Sequence, residues 1–326
     1  MELPLYHVVV VYVTTAVSFI INTILIFFIC KHSLAEFGRY KALMLTFTVF
    51  NIAYSVVQGV TMPVIHVYEF SFFMFTTGLG SVPKGPDRLL TATFCSTFAQ
   101  SLFLITLHFL YRYVQVVRPQ WRDLFEKRSY VTLIVAIYVF VAIDYGAVCF
   151  FNFGPSPVKD VYFAEQMWLS YGLNISAVGY LGPIYMLNGE VQWLDIAGLL
   201  NVSIVIGFTF AVIPFCGIGI FRALYRHEVI SKKTKHLQIQ MFRLLLVQSF
   251  FPLAFTFVPS ASIIVMSLFG RHIGDKGNVV GVLLTVYPVI EPVVVLFFVR
   301  SYREAILSYL GLLKDEPIRS NSIAKF

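Results

Sequence analysis

Apolar residues in this chain come in long unbroken runs, not in the alternating pattern of half-buried strands. Stretches free of Lys, Arg, Asp and Glu run Val8–Cys30, Ala42–Tyr68, Leu89–Tyr111, Ile196–Phe221 and Leu244–Gly270. Two more, Tyr130–Phe153 and Asn278–Val299, each hold a single acid, Asp144 and Glu291. A helix needs about 20 mostly apolar residues to cross a bilayer. An acid at its centre costs about 2.5–3.5 kcal/mol, and each Leu, Ile, Phe or Val contributes about −0.3 to −0.6. The two acid-bearing runs hold thirteen and fifteen such residues, so both still insert. The pattern predicts an all-α polytopic membrane protein, a seven-transmembrane helix bundle. Its spans fall at about 8–30, 42–67, 89–111, 130–153, 196–221, 242–269 and 278–299.

One further uncharged run, Gln166–Gly189, holds only seven Leu, Ile, Phe or Val residues, together with four Gly, a Pro and two Asn. It reads as part of a long outer loop. After the seventh span, Tyr302, Ile306, Tyr309, Leu310 and Leu313 fall on one helical stripe with Arg303, Glu304 and Lys314 off it. That predicts an amphipathic surface helix at 300–314, then a cytoplasmic tail, 315–326, carrying Ser320 and Ser322.

Composition agrees with this reading. Of 326 residues 58% are hydrophobic and 13% charged, about half the charge of a soluble domain. With the N-terminus outside, 19 of the 24 Lys and Arg residues lie on or beside inner segments and five on outer ones. That bias sets an N-out, C-in topology in the plasma membrane. The net charge of +7 therefore marks an inner face in contact with membrane lipids rather than a nucleic-acid surface. Asn174-Ile175-Ser176 is a glycosylation sequon on the expected outer side. Cys95 and Cys149 both sit near outer span ends, and the sequence leaves open whether they pair.

No spacing of His, Cys, Asp and Glu suits a metal, and no nucleophile motif or phosphate loop appears, so neither an enzyme nor a cofactor is expected. Polar groups inside the spans carry the candidate chemistry instead, because each is costly in lipid. On the third span Phe94, Phe98, Ser101, Ile105, His108 and Arg112 share a helical face. Gln248, Pro252, Phe255, Pro259 and Ser262 form a stripe on the sixth. On the seventh, Val280, Leu284, Tyr287 and Glu291 align, with Pro288 and Pro292 weakening the same region. Prolines kink a helix and supply a hinge, although each stripe is also what ordinary packing produces. The expected ligand residues are Phe94, Phe98, Ser101, Phe255, Ser262 and Leu284, in the outer half of the bundle. The expected switching residues are His108, Arg112, Tyr113, Gln248, Pro252, Pro259, Tyr287, Pro288 and Glu291.

Several segments in order are similar to the Str class of nematode seven-transmembrane chemoreceptors. They are Gly38-Arg39-Tyr40-Lys41-Ala42-Leu43-Met44, Tyr54-Ser55, and His108-Phe109-Leu110-Tyr111-Arg112-Tyr113 with Arg118-Pro119. Leu237-Gln238-Ile239-Gln240-Met241-Phe242, Val247-Gln248, Pro252 and Val258-Pro259-Ser260 follow. Tyr287-Pro288-Val289-Ile290-Glu291-Pro292 and Val299-Arg300-Ser301-Tyr302-Arg303 complete the set, which covers roughly residues 36–306. The resemblance implies a G-protein-coupled receptor of sensory neurons, placed in sensory cilia. Its partners would be a heterotrimeric G protein and a small, often volatile, chemical ligand. Arg112 would contact the G protein or lock the inactive state. The class usually has Asp where Glu291 stands, and Tyr111 replaces the acid that rhodopsin-like receptors carry before the Arg. Glu291 or another group is then the expected restraint on Arg112. The alternative weighed against this reading is a seven-transmembrane ligand-gated channel or transporter, whose polar pore stripe and broken helices are little in evidence. A receptor-like protein serving assembly or trafficking is a third.

Overall fold

The computed structural model describes residues 5–33, 37–78, 84–226 and 232–312. Residues 313 and 314 of the expected surface helix and the tail 315–326 lie outside the described residues. Among the described residues seven helical segments are long and apolar enough to cross a membrane. Helices α1 (Leu5–His32), α2 (Tyr40–Thr61), α3 (Lys84–Val116) and α4 (Arg128–Phe151) are the first four spans. After α5 (Pro157–Tyr171), α6 (Trp193–Arg226) is the fifth. The sixth span is α7 (Lys232–Pro252), a π-turn (Leu253–Phe257) and α8 (Val258–Leu268). The seventh is α9 (Asn278–Leu283) and α10 (Tyr287–Phe298), followed by α11 (Arg300–Tyr309).

The second run departs from the expected span 42–67. Its helix stops at Thr61, Met62 takes a left-handed conformation (φ 40°), and Pro63 opens strand β1 (Pro63–Tyr68). A proline cannot donate within a helix and turns the residue before it away from helical geometry. The following Val64, Ile65 and Val67 are β-branched and prolong the apolar run, so hydropathy alone does not reveal the change.

Strand β1 pairs antiparallel with β2 (Ser71–Thr76), with Pro63 opposite Thr76 and Tyr68 opposite Ser71. β3 (Tyr180–Leu181) adds to β2 with Met74 opposite Leu181. Side chains alternate across a sheet, and here both faces are covered. Ile65, Val67 and Met74 join the main bundle core with Phe94, Phe257, Ile263 and Leu284. Val64, Phe73 and Phe75 face the other way and pack with Phe163, Met167 and Tyr171 of α5. The expected loop Gln166–Gly189 thus contributes helix and strand to a cap over one end of the bundle.

Several polar contacts pin the cap. Asn278 Oδ1 accepts from Ile65 N at 2.8 Å, and Val67 and Gly274 exchange backbone bonds at 2.9 and 3.2 Å. Gly281 brings the seventh span so close to the sheet that a Cβ there would stand 2.9 Å from the Pro63 carbonyl. Lys159 of α5 donates to Asp195 Oδ1 at 2.7 Å and to the Asn152 carbonyl at 2.8 Å, while Asp195 Oδ2 accepts from Ile184 N at 3.0 Å. Both charges of this pair are buried. Burial lowers the Lys159 pKa against the opposing pull of Asp195.

Candidate functional site

Prolines organise the seventh span. Pro292 has no N–H to offer the carbonyl four residues earlier, so the Pro288 carbonyl is free for other donors. Asn22 Nδ2 takes it at 2.9 Å and the Ser18 hydroxyl at 3.1 Å, tying the first span to the seventh. One turn on, Glu291 lies buried with one donor on each carboxylate oxygen. Asn51 Nδ2 of the second span donates to Oε2 at 2.9 Å, and Gln248 Nε2 of the sixth donates to Oε1. A carboxylate taken out of water needs such donors. This cluster joins spans two, six and seven at mid-bundle.

Arg112 is buried nearer the uncapped end and is held without an acid. Its guanidinium lies over the Tyr40 ring, 3.9 Å from the centroid, and donates to Gln238 Oε1 at 3.3 Å. Tyr40 in turn stacks on Tyr111 at 5.7 Å. Among the described residues no ion pair joins Arg112 to a carboxylate. Of the two expected restraints, Glu291 or another group, the structure places other groups, Tyr40 and Gln238, against Arg112. Glu291 is engaged by Asn51 and Gln248, and the face of the Tyr40 ring attracts the guanidinium instead. His108 is buried against Phe47 (5.1 Å between centroids) and Tyr40 (5.7 Å). Tyr113 is buried against the fifth span, where Gly219 leaves room for its ring.

The capped half of the bundle is aromatic. Phe94, Ser101 and Leu284 are buried there, with Phe98 half-buried. Tyr54 meets Phe94 at 6.1 Å and Tyr287 at 5.1 Å, and Phe98 meets Phe257 edge-on at 5.3 Å. The hydroxyls of Tyr54, Thr256 and Tyr287 are buried and have no hydrogen-bond partner among the described residues. An unmade hydrogen bond costs about 1–3 kcal/mol.

Two expected ligand residues fall elsewhere. Phe255 is half-buried with its ring stacked on Phe251, and Ser262 is exposed on the outer surface of the bundle, its hydroxyl bonded back to Pro259. The π-turn at Leu253–Phe257 is the reason. It inserts an extra residue into the turn and rotates everything beyond it relative to a continuous α-helix. Gln248 and Pro252 stay inward, but past them the buried residues are Thr256, Phe257, Ile263 and Ser267. Pro259, like Phe255, is only half-buried, whereas Pro252, Tyr287 and Pro288 are buried as the stripes require. Asp144 on the fourth span is half-buried and outside both clusters. Cys95 and Cys149 are free thiols.

Asn22, Asn51 and Thr256 are site residues that the sequence stripes miss, and Tyr40, Tyr54 and Gln238 figure there only within family segments. The signal was present for the two asparagines, each a strongly polar group in an otherwise apolar run. For Tyr40 and Gln238 the contact exists only once the helices assemble.

A seven-helix bundle with a covered end and buried polar clusters between its helices defines the class of seven-transmembrane helical folds. The whole chain superposes on squid rhodopsin with a TM-score of 0.65, covering 97% of this chain and 90% of that one, at 12% identity. That likeness concerns the fold. The chain belongs to the family of serpentine-type seven-transmembrane G-protein-coupled chemoreceptors designated Str, whose model matches residues 7–307. It is similar to serpentine receptor class r-10 of Caenorhabditis elegans, 23% identical over 96% of this chain and 93% of the relative. Serpentine receptor class J-38 of the same species is 25% identical over 91% of each chain. G-protein coupled receptor str-33 is 20% identical over 90% of this chain and 88% of its own length.

Proposed function

We propose that this chemoreceptor binds a small chemical among Tyr54, Phe94, Phe98, Thr256, Phe257 and Tyr287 and activates a heterotrimeric G protein at the end bearing Arg112. The observation that carries the reading is the set of three hydroxyls, Tyr54, Thr256 and Tyr287, left unpartnered among the described residues in an aromatic interior. Such groups are stabilised when a ligand supplies the missing bond. A ligand acts by its differential affinity for two conformations. The Glu291 cluster, joining three spans, and the prolines of the sixth and seventh supply an element with two arrangements. The Lys and Arg bias supports a plasma-membrane topology with the capped end outside, Asn174 glycosylated, and Arg112 and α11 facing the cytoplasm. The resemblance to chemoreceptors supports residence in sensory cilia.

The test is nucleotide exchange on a heterotrimeric G protein by the purified receptor in nanodiscs, challenged with a panel of small volatile alcohols, ketones and heteroaromatics. An agonist that accelerates exchange, and that loses potency in Thr256→Val, supports the reading. Ligand-evoked current in excised patches without guanine nucleotide would instead establish the channel alternative.

A further inference from the structure

We infer that the ligand reaches this site sideways from the lipid phase, between the fifth and sixth spans, and not from water through the covered end. This rests on the capped half being the ligand site. The ligand class it implies is a small apolar molecule with one hydrogen-bonding function, concentrated in the bilayer before it binds.

The covered end is closed in layers. The sheet buries Ile65, Val67 and Met74 into the bundle and Val64, Phe73 and Phe75 under α5. It is fastened to the seventh span through Asn278 and Gly274, to the second through Thr77, whose backbone donates to the Thr61 carbonyl at 3.0 Å, and to the fifth through Asp195. A path through it would break buried backbone bonds, each costly to leave unmade.

The side of the bundle differs. Along the inward row of the third span, Phe94, Ser101 and Ile105 are buried, yet Phe98 between them is half-exposed. An inward ring left only partly buried points to an opening at its level. The window's frame is aromatic. Phe98 meets Phe257 of the sixth span at 5.3 Å, and Phe257 meets Phe210 of the fifth at 6.3 Å, both edge-on. Phe210 is 42% exposed on the bundle's outer surface, so three rings run from the lipid face to the interior. Gly207, one turn nearer the cap, has open space where its Cβ would stand. Edge-on rings present apolar surface that an apolar guest passes with no hydrogen bond to break, and Thr256 next to Phe257 offers the first unpartnered hydroxyl.

Single-cysteine reporters test this without knowledge of the ligand. Phe98→Cys and, independently, Phe257→Cys receptors in lipid nanodiscs are treated with bilayer-partitioning N-(1-pyrenyl)maleimide or with a water-borne trimethylammonium thiosulfonate. Labelling of the unsubstituted protein is subtracted, and Ser262→Cys serves as the lipid-face control. The reporter thiol should react with the pyrenyl reagent at least ~10-fold faster than with the charged one, since a fixed cation is costly to bring out of water. Phe210→Ala should speed that reaction and Gly207→Trp slow it. Equal or faster reaction with the charged reagent would overturn the lateral route and show the cap to be leaky. Failure of both reagents at both reporters, with Ser262→Cys reacting, would overturn the window itself. If no chemical activates the receptor but labelling follows the expected pattern, the ligand site fails and the window stands.

Discussion

Replacing Asn51 by alanine removes the 2.9 Å hydrogen bond to Glu291 Oε2 and leaves Gln248 as the only described side-chain donor to that carboxylate. An ordinary hydrogen bond between membrane helices is worth about 0.6 kcal/mol, because the separated helices find other partners. Glu291 is 1% exposed and Asn51 0%, so water cannot replace the lost donor, and a buried acceptor left without its bond costs about 1–3 kcal/mol. The expected loss is about 2 kcal/mol, or roughly 3 °C in midpoint for a chain of this length. A thiol-reactive fluorogenic dye reads this directly in detergent, because Cys149 and Cys216 are free and buried until the bundle opens. A double-mutant cycle with Glu291→Ala isolates the pair and should return a coupling of at least ~1 kcal/mol. A midpoint shift no larger than that of exposed Thr46→Ala, or an equal loss in the Glu291→Ala background, would refute the reasoning.

Three other outcomes are expected. Tyr40→Ala should raise basal nucleotide exchange by freeing Arg112, whereas Tyr40→Phe, which keeps the ring face at 3.9 Å, should leave it near the starting value. His66 is depressed to about 4 by burial first and His272 second, so the folded cap holds it neutral. Its stabilising contribution is complete above the unfolded value near 6.5 and falls away as the pH drops from there toward 4. Hydrogen exchange across residues 63–76 should quicken over that window, and His66→Phe should abolish the dependence. Gly219→Ala would set a Cβ 2.6 Å from the Tyr113 ring, costing about 1–3 kcal/mol by overpacking; in a Tyr113→Ala background the same substitution should shift the thermal midpoint little.

The seven spans were legible because lipid imposes a length and a polarity on every crossing helix, and uncharged runs of that size are rare outside membranes. What the sequence hid follows from cases where one pattern serves two structures. Residues 62–67 are uncharged and, His66 apart, apolar, which suits helix or strand alike, and only Pro63 separates the two. The stripe on the sixth span ran true to Pro252 and then lost phase, since the π-turn leaves no mark in composition; Phe255 and Ser262 were misplaced for that reason alone. Lys159 and Asp195, 36 positions apart, read as ordinary loop charges until the fold buries them together. The face of the third span, by contrast, was read from spacing, and Phe94, Ser101, Ile105, His108 and Arg112 are all buried along it.

The clip between Lys159 and Asp195 has a consequence for how the receptor meets reductants. Breaking one partner of a buried pair costs about 3–5 kcal/mol, comparable to losing a disulfide from a small domain. Among the described residues the cysteines are free thiols, and this clip, not a sulfur bridge, ties α5 to the fifth span. Reductants that unlace cystine-stapled receptors should leave this one's lid in place.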